Sequence, residues 1–247
     1  MGVNIADPAV LAKRFGAVHG RAMPPSKPPA RKRITTAERR RIEEIFERLK
    51  AIDDDPRTEL DYESPFTLVV AVALSAQATD RSVNKATEKL FAVADTPAKM
   101  LALGEDGLIP YIASIGLFRT KARNVIALSR LLLDEHGGEV PLNREALQKL
   151  PGVGRKTASV VLNELRVEPA IAVDTHVFRV AHRLGLSKGK TPDQVEADLM
   201  AIVPEPLLTR AHHWLILHGR YTCIARRPKC EECAIADLCP SRHLFVN

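Results

Sequence analysis

The chain has 247 residues, 45% of them hydrophobic and 27% charged, with a formal net charge of +6. That length suits one large or two modest domains with a sizeable core, and the basic balance points to a polyanionic partner rather than an acidic-tail or membrane protein. No N-terminal apolar run could act as a secretory signal and no apolar stretch reaches the roughly 18 residues of a spanning helix, so an intracellular place, in cytoplasm or nucleoid, is expected and no membrane partner.

In chain order, residues 1–34 hold seven basic residues and one acid, which accounts for the whole net charge, because the remaining 29 basic and 29 acidic residues cancel. With Pro24-Pro25, Pro28-Pro29 and no helical periodicity, this segment reads as a disordered basic tail. It is either a solubilising extension or an arm that adds non-specific phosphate affinity. Folding is expected to start at Thr35, where Thr35-Thr36-Ala37-Glu38 has the capping-box pattern and Ile42, Ile45, Phe46, Leu49 and Ile52 follow at helical spacing. Asp53-Asp54-Asp55-Pro56 ends that helix. Ser64-Pro65 opens the next, apolar on every side from Phe66 to Leu74.

Further helices are expected over 80–91, 97–103, 105–114, 119–135, 144–149, 154–165, 174–184, 192–202 and 205–219, with Gly104, Gly116 and Gly137-Gly138 among the breaks. Ala and Leu are abundant and period-two alternation is absent, so the fold class is all-α.

Leu150-Pro151-Gly152-Val153-Gly154-Arg155-Lys156 is the most telling local motif. A helix stops at Pro151, two glycines permit left-handed angles in a tight turn, and a new helix begins at once. Its first N–H groups lie at the positive end of the helix dipole, a ready phosphate site. This is a helix-hairpin-helix pattern that grips a nucleic-acid backbone without reading sequence; the competing reading is an ordinary connector.

The only four cysteines, Cys223, Cys230, Cys233 and Cys239, are spaced C-x6-C-x2-C-x5-C. Inside a cell they argue against disulfides and for one metal site. Only Cys230 and Cys233 form the short knuckle common in zinc sites, so the wide arms favour a 4Fe-4S cube over zinc, which stays open.

Leu150 through Ala158, Val173-Asp174-Thr175-His176-Val177-Phe178-Arg179-Val180 and the cysteine spacing together resemble the endonuclease III family, iron–sulfur DNA glycosylases of base excision repair within the helix-hairpin-helix glycosylase superfamily. Leu74-Ser75-Ala76-Gln77-Ala78-Thr79-Asp80 and Ile115-Gly116-Leu117 match as well, and the resemblance spans about 36–240.

It implies a bifunctional DNA glycosylase and abasic-site lyase acting on oxidised pyrimidines. Lys156 would attack C1′ as nucleophile, made neutral by burial or by cationic neighbours such as Arg155. Asp174, also a candidate N-cap, would stabilise charge on the sugar and help deprotonate Lys156. Gln77 would enter the gap left by the extruded nucleotide and Leu117 would act as an apolar wedge. Gly152, Gly154 and Arg155 would hold phosphate. The cluster, a 4Fe-4S centre, would set Arg226, Arg227 and Lys229 against the backbone of double-stranded DNA that carries damaged pyrimidines or abasic sites.

The resemblance also implies two helical domains in a monomer. One is a six-helix bundle over 58–168. The other is a cluster domain made from 35–57 and 169–247, with Lys156 and Asp174 facing each other across a cleft. The rivals are a monofunctional mismatch glycosylase for adenine or for thymine and uracil, and a non-enzymatic DNA-binding module. The adenine-removing enzyme lacks a lysine where Lys156 stands.

Overall fold

The structure, a computed structural model, describes residues 34–246; the tail expected before Ile34 lies outside the described residues. Ten α-helices and no strand occur among them. They are α1 (Thr36–Ile52), α2 (Pro65–Ser75), α3 (Asp80–Phe91), α4 (Pro97–Ile112), α5 (Phe118–His136), α6 (Arg144–Lys149), α7 (Arg155–Glu164), α8 (Thr175–Arg183), α9 (Pro192–Ile202) and α10 (Leu208–Tyr221). The all-α reading holds. Beyond shifts of one or two residues at several helix ends, two boundaries differ from expectation. The pieces expected at 97–103 and 105–114 form one span that breaks at Gly104 (φ 70°) and stops at Ile112. The last helix begins as a 3-10 turn, Glu205–Leu207, because Pro206 sits in it and the α-helical pattern starts only at Leu208.

Local chemistry accounts for most helix starts. Thr35, Ser64, Thr79, Thr96, Asn143, Asp174 and Thr191 each stand in an extended conformation and accept a hydrogen bond from the first turn, an arrangement worth about 1 kcal/mol per cap. Ser64 and Thr67 complete a reciprocal box: Ser64 Oγ accepts from Thr67 N at 3.2 Å and Thr67 Oγ1 from Ser64 N at 2.8 Å. Helices α5, α7 and α10 open without a side-chain cap.

The chain divides into two compact units. Thr58–Val167 forms the first, with α2 to α7. Helix α2 is its centre, buried at every position from Phe66 to Leu74, and it packs on α3, α5 and α7. Buried Glu164, at the end of α7, accepts from Tyr62 Oη at 2.9 Å and Thr58 N at 3.4 Å, so the two ends of the unit are joined by one satisfied carboxylate.

Among the described residues, the second unit combines 34–57 with 168–246. Its core gathers Phe46, Leu49, Val177, Val180, Leu199, Trp214 and Leu215. Trp214 stands 6.3 Å from Phe46 between ring centroids and donates its Nε1 hydrogen to the Asp53 carbonyl at 2.7 Å. That bond explains why a segment more than 150 residues earlier belongs to this unit. Gly219 brings α10 close to α8: a Cβ there would stand 2.9 Å from His176 Cβ and 3.1 Å from Val180 Cγ2.

Candidate active site and metal centre

In the first unit the hairpin runs from α6 to α7. Leu150 and Val153 are buried and anchor it, while Gly152, Gly154, Arg155 and Lys156 are exposed. The two glycines do different jobs, which corrects the expectation that both are left-handed. Gly152 has φ 79°, and a Cβ there would meet the Asn124 side chain at 3.0 Å. Gly154 is extended (φ −83°, ψ 179°), and nothing lies within 4 Å of the place its Cβ would take. Open space above Gly154 and an uncapped first turn of α7 leave N–H groups turned toward solvent. Lys156 is on that turn and exposed, so of the two expected settings, burial or cationic neighbours, burial is not the one found.

Gln77 and Leu117 are both exposed and both left-handed, at φ 56° and φ 60°. That conformation is uncommon for residues other than glycine. Leu117, 62% exposed, is the N-cap residue of α5 and gives it no side-chain cap. Buried Lys121, one turn into α5, reaches the Ala76 carbonyl beside Gln77 at 2.7 Å. Nothing in the sequence marked Lys121, since a lysine at a helical position reads as a solvated face.

In the second unit Asp174 opens α8. Its Oδ1 accepts from both His176 N and Val177 N at 2.8 Å, so one carboxylate oxygen makes the cap and Oδ2 carries neither bond. The side chain is half-buried. His176 supports the helix, with its Cβ under Gly219 and its Nδ1 3.3 Å from Arg179 Nη2.

The four cysteines are free thiols and half-buried. Burial pushes the Cys233 thiol up, and Cys223, Cys239 and Cys230 push it further; Cys239 is raised by burial and by Cys223 and Cys230. Thiols raised in this way ionise together only around a cationic group. Four free thiols within one short C-terminal stretch supply the donor set of a cube that takes one thiolate per corner iron. The residues therefore fit an iron–sulfur cluster.

Arginines that the sequence did not single out frame this loop. Arg179 Nε donates to the Cys223 carbonyl at 3.0 Å and Nη2 to the Gly219 carbonyl at 2.7 Å. Arg41 Nη1 reaches the Leu184 and Leu238 carbonyls at 2.9 and 3.0 Å. Arg48 pairs with Asp237 at 2.7 Å and holds that carboxyl below its usual range. Lys229 N donates to the Thr222 carbonyl at 3.0 Å and closes the loop on which Arg226, Arg227 and Lys229 stand exposed. Their signal was absent from the sequence because the partners, backbone carbonyls and for Arg48 the Asp237 carboxylate, lie far along the chain.

Residues 70–205 match the model of the HhH-GPD superfamily base excision DNA repair protein, and 223–239 match the iron-sulfur binding domain of endonuclease III. The chain is 59% identical over 196 residues to endonuclease III of Haemophilus influenzae, covering 79% of this chain and 93% of that relative. It is 58% identical over 196 residues to endonuclease III of Escherichia coli K12, with the same coverage. Among solved structures, a trapped endonuclease III–DNA covalent intermediate superposes with a TM-score of 0.78 at 42% identity, covering 86% of this chain and 99% of that one.

Proposed function

The chain belongs to the endonuclease III family of the HhH-GPD superfamily, and on that premise we propose how its residues divide the work. It is a bifunctional DNA glycosylase and abasic-site lyase of base excision repair with a 4Fe-4S cluster. The rival readings, a monofunctional mismatch glycosylase and a binding module without activity, are not favoured.

Lys156 is the nucleophile in this reading. Its amine attacks C1′, the bond from C1′ to the base breaks, and the base leaves with a proton. The sugar ring opens to a Schiff base, which acidifies the C2′ hydrogen; loss of that proton expels the 3′ phosphate and cuts the strand. The observation that carries the assignment is the place of Lys156, exposed on the uncapped first turn of α7 beside the open Gly154 backbone. A phosphate bound by those N–H groups would bring its own sugar to the amine. The relative trapped covalently on DNA agrees with an amine nucleophile.

Asp174 supplies the carboxylate. Its Oδ1 is committed to the α8 cap, which leaves Oδ2 for positive charge developing at C1′ and for the proton of Lys156. Gln77 and Leu117, exposed on left-handed turns, take the space of the extruded nucleotide. Gly152, Gly154 and Arg155 hold phosphate, as do Arg226, Arg227 and Lys229. The cluster, bound by Cys223, Cys230, Cys233 and Cys239, supplies a rigid cross-link that fixes this basic loop. Damaged, chiefly oxidised, pyrimidines and abasic sites in double-stranded DNA are the proposed substrates, met by a monomer in the cytoplasm or nucleoid; no described helix is long and apolar enough to cross a membrane.

Borohydride trapping on abasic duplex tests the assignment. The protein gives a covalent adduct and Lys156→Ala gives none; an adduct that survives the substitution overturns it. Release of free base from a panel of oxidised pyrimidines, without release of mismatched adenine or thymine, tests the substrate class.

A further inference from the structure

The turn between α2 and α3 has a shape that its own residues do not favour. Ala78 N donates to the Ser75 carbonyl at 3.0 Å, Ala76 stands at φ −54°, ψ 117°, and Gln77 at φ 56°. These angles describe a type II turn, whose second corner ordinarily takes glycine. A flip of the central peptide, the Ala76 carbonyl with the Gln77 N–H, converts type II to type I and returns the second corner to a negative φ that glutamine prefers. The observed shape therefore needs a restraint on that one peptide.

Lys121 supplies it. Its Nζ donates to the Ala76 carbonyl at 2.7 Å, the oxygen that would swing away in the flip. Lys121 is only 7% exposed, and burial pushes its pKa down. The fold thus keeps a cation where solvation is poor and directs it at a carbonyl in a turn that is otherwise exposed. The Lys121 backbone N–H makes the first helical bond of α5, to the Leu117 carbonyl at 3.0 Å. Among the described residues only Gln77, Leu117 and Arg166 are non-glycine residues with positive φ, and the Lys121 side chain bonds at the turn that holds Gln77.

We propose that Lys121 is a positioning residue that latches the Ala76–Gln77 peptide in its type II orientation, so that Gln77 is presented preformed beside Leu117 when a nucleotide leaves the stack. The proposal rests on the reading that Gln77 enters the duplex. Preforming matters because a side chain that must first change its backbone conformation supports the extruded state only for the fraction of time it is correctly placed. The latch acts on duplex alone, since a single strand has no gap to fill.

The test compares lyase kcat/KM on one abasic oligonucleotide as duplex and as single strand, for the full chain and for Lys121→Met, Lys121→Arg, Gln77→Ala and the Gln77→Ala/Lys121→Met pair. Lys121→Met keeps length and removes the donor; the expected result is a loss of about tenfold on duplex with single-strand activity within about twofold. The pair should lose no more than Gln77→Ala alone, as one device removed twice. Equal loss on both substrates makes Lys121 merely structural and overturns the proposal, as does a duplex activity that Lys121→Met leaves unchanged. If Lys121→Met does not fold, Lys121→Arg carries the same comparison, its displaced donor giving a smaller loss confined to duplex. A duplex loss in Gln77→Ala without one in the Lys121 variants sinks the latch alone; no duplex loss in Gln77→Ala sinks the reading of Gln77 beneath it.

Discussion

Arg183 donates from Nη1 to Cys223 Sγ at 3.4 Å, with further bonds to the Ile224 carbonyl at 2.8 Å and, from Nη2, to the Ala225 carbonyl at 2.7 Å. It is the last residue of α8, the nine-residue helix that Asp174 opens. A rod of about 13 Å therefore runs from the proposed catalytic carboxylate to the first cluster ligand. Arg179, one turn earlier, adds its bond to the Cys223 carbonyl. The proposed carboxylate and the arginine that holds the Cys223 segment stand at opposite ends of one helix.

Arg183→Met should loosen the start of the basic loop without touching the chemistry. The expected signs are faster bleaching of the broad visible absorption of the iron–sulfur protein, weaker duplex affinity and a shallower salt dependence, as Arg226, Arg227 and Lys229 lose their fixed place. Turnover at saturating DNA should change by less than about threefold. An unchanged bleaching rate together with an unchanged salt slope would deny Arg183 this role.

The hairpin glycines make opposite predictions. Gly152→Ala forces a Cβ into a left-handed residue and against Asn124 at 3.0 Å, so thermal unfolding should show a loss of roughly 1–2 kcal/mol. Gly154→Ala meets nothing within 4 Å on an extended backbone, and its stability should stay within about 0.5 kcal/mol, with any change favouring the fold. Its methyl group nevertheless stands where a phosphate would approach, so DNA affinity should fall. Equal melting temperatures for both variants would contradict the geometry.

What the sequence made legible is local. Thr35, Ser64 and Asp174 announce helix starts because a cap needs only the next three residues. The cysteine spacing and the Leu150–Lys156 run carry their meaning within a few positions. Gly154 was read as left-handed because glycine permits the angle, but only Gly152 needed it. Gln77 gave no sign of its left-handed backbone, since the restraint is a lysine 45 positions away from Ala76. Arg183 was equally silent, its partners lying 40 or more residues on. Bonds from side chains to distant carbonyls leave no pattern in the chain.

Lys121 also sets a pH dependence. Burial lowers its pKa below the ordinary 10.5, so between the folded and unfolded values the native state binds fewer protons than the unfolded chain. Stability from this group is complete above 10.5 and is lost as pH falls through the folded value. At neutral pH the buried charge is a penalty. Lys121→Met should therefore leave denaturant stability at pH 7 equal or higher, and the difference from the unaltered chain should shrink as pH rises toward 10.5. A variant that is less stable at pH 7, with a deficit that fades as pH rises toward 10.5, would show that the ammonium is a net support of the fold.

Asp174 separates structure from chemistry in a pair of substitutions. Asn is as good an N-cap as Asp, and Asn Oδ1 can accept from His176 N and Val177 N as the carboxylate does at 2.8 Å. Asp174→Asn should keep stability to within about 0.5 kcal/mol, whereas Asp174→Ala should lose about 1 kcal/mol with the cap. Both remove the negative charge proposed to face C1′, so both should lower base release by about a hundredfold or more. Borohydride trapping on preformed abasic sites should suffer less, because no glycosidic bond remains to be broken. If Asp174→Asn retains full glycosylase activity, the carboxylate is a cap and nothing more, and the charge opposite the sugar must come from another residue.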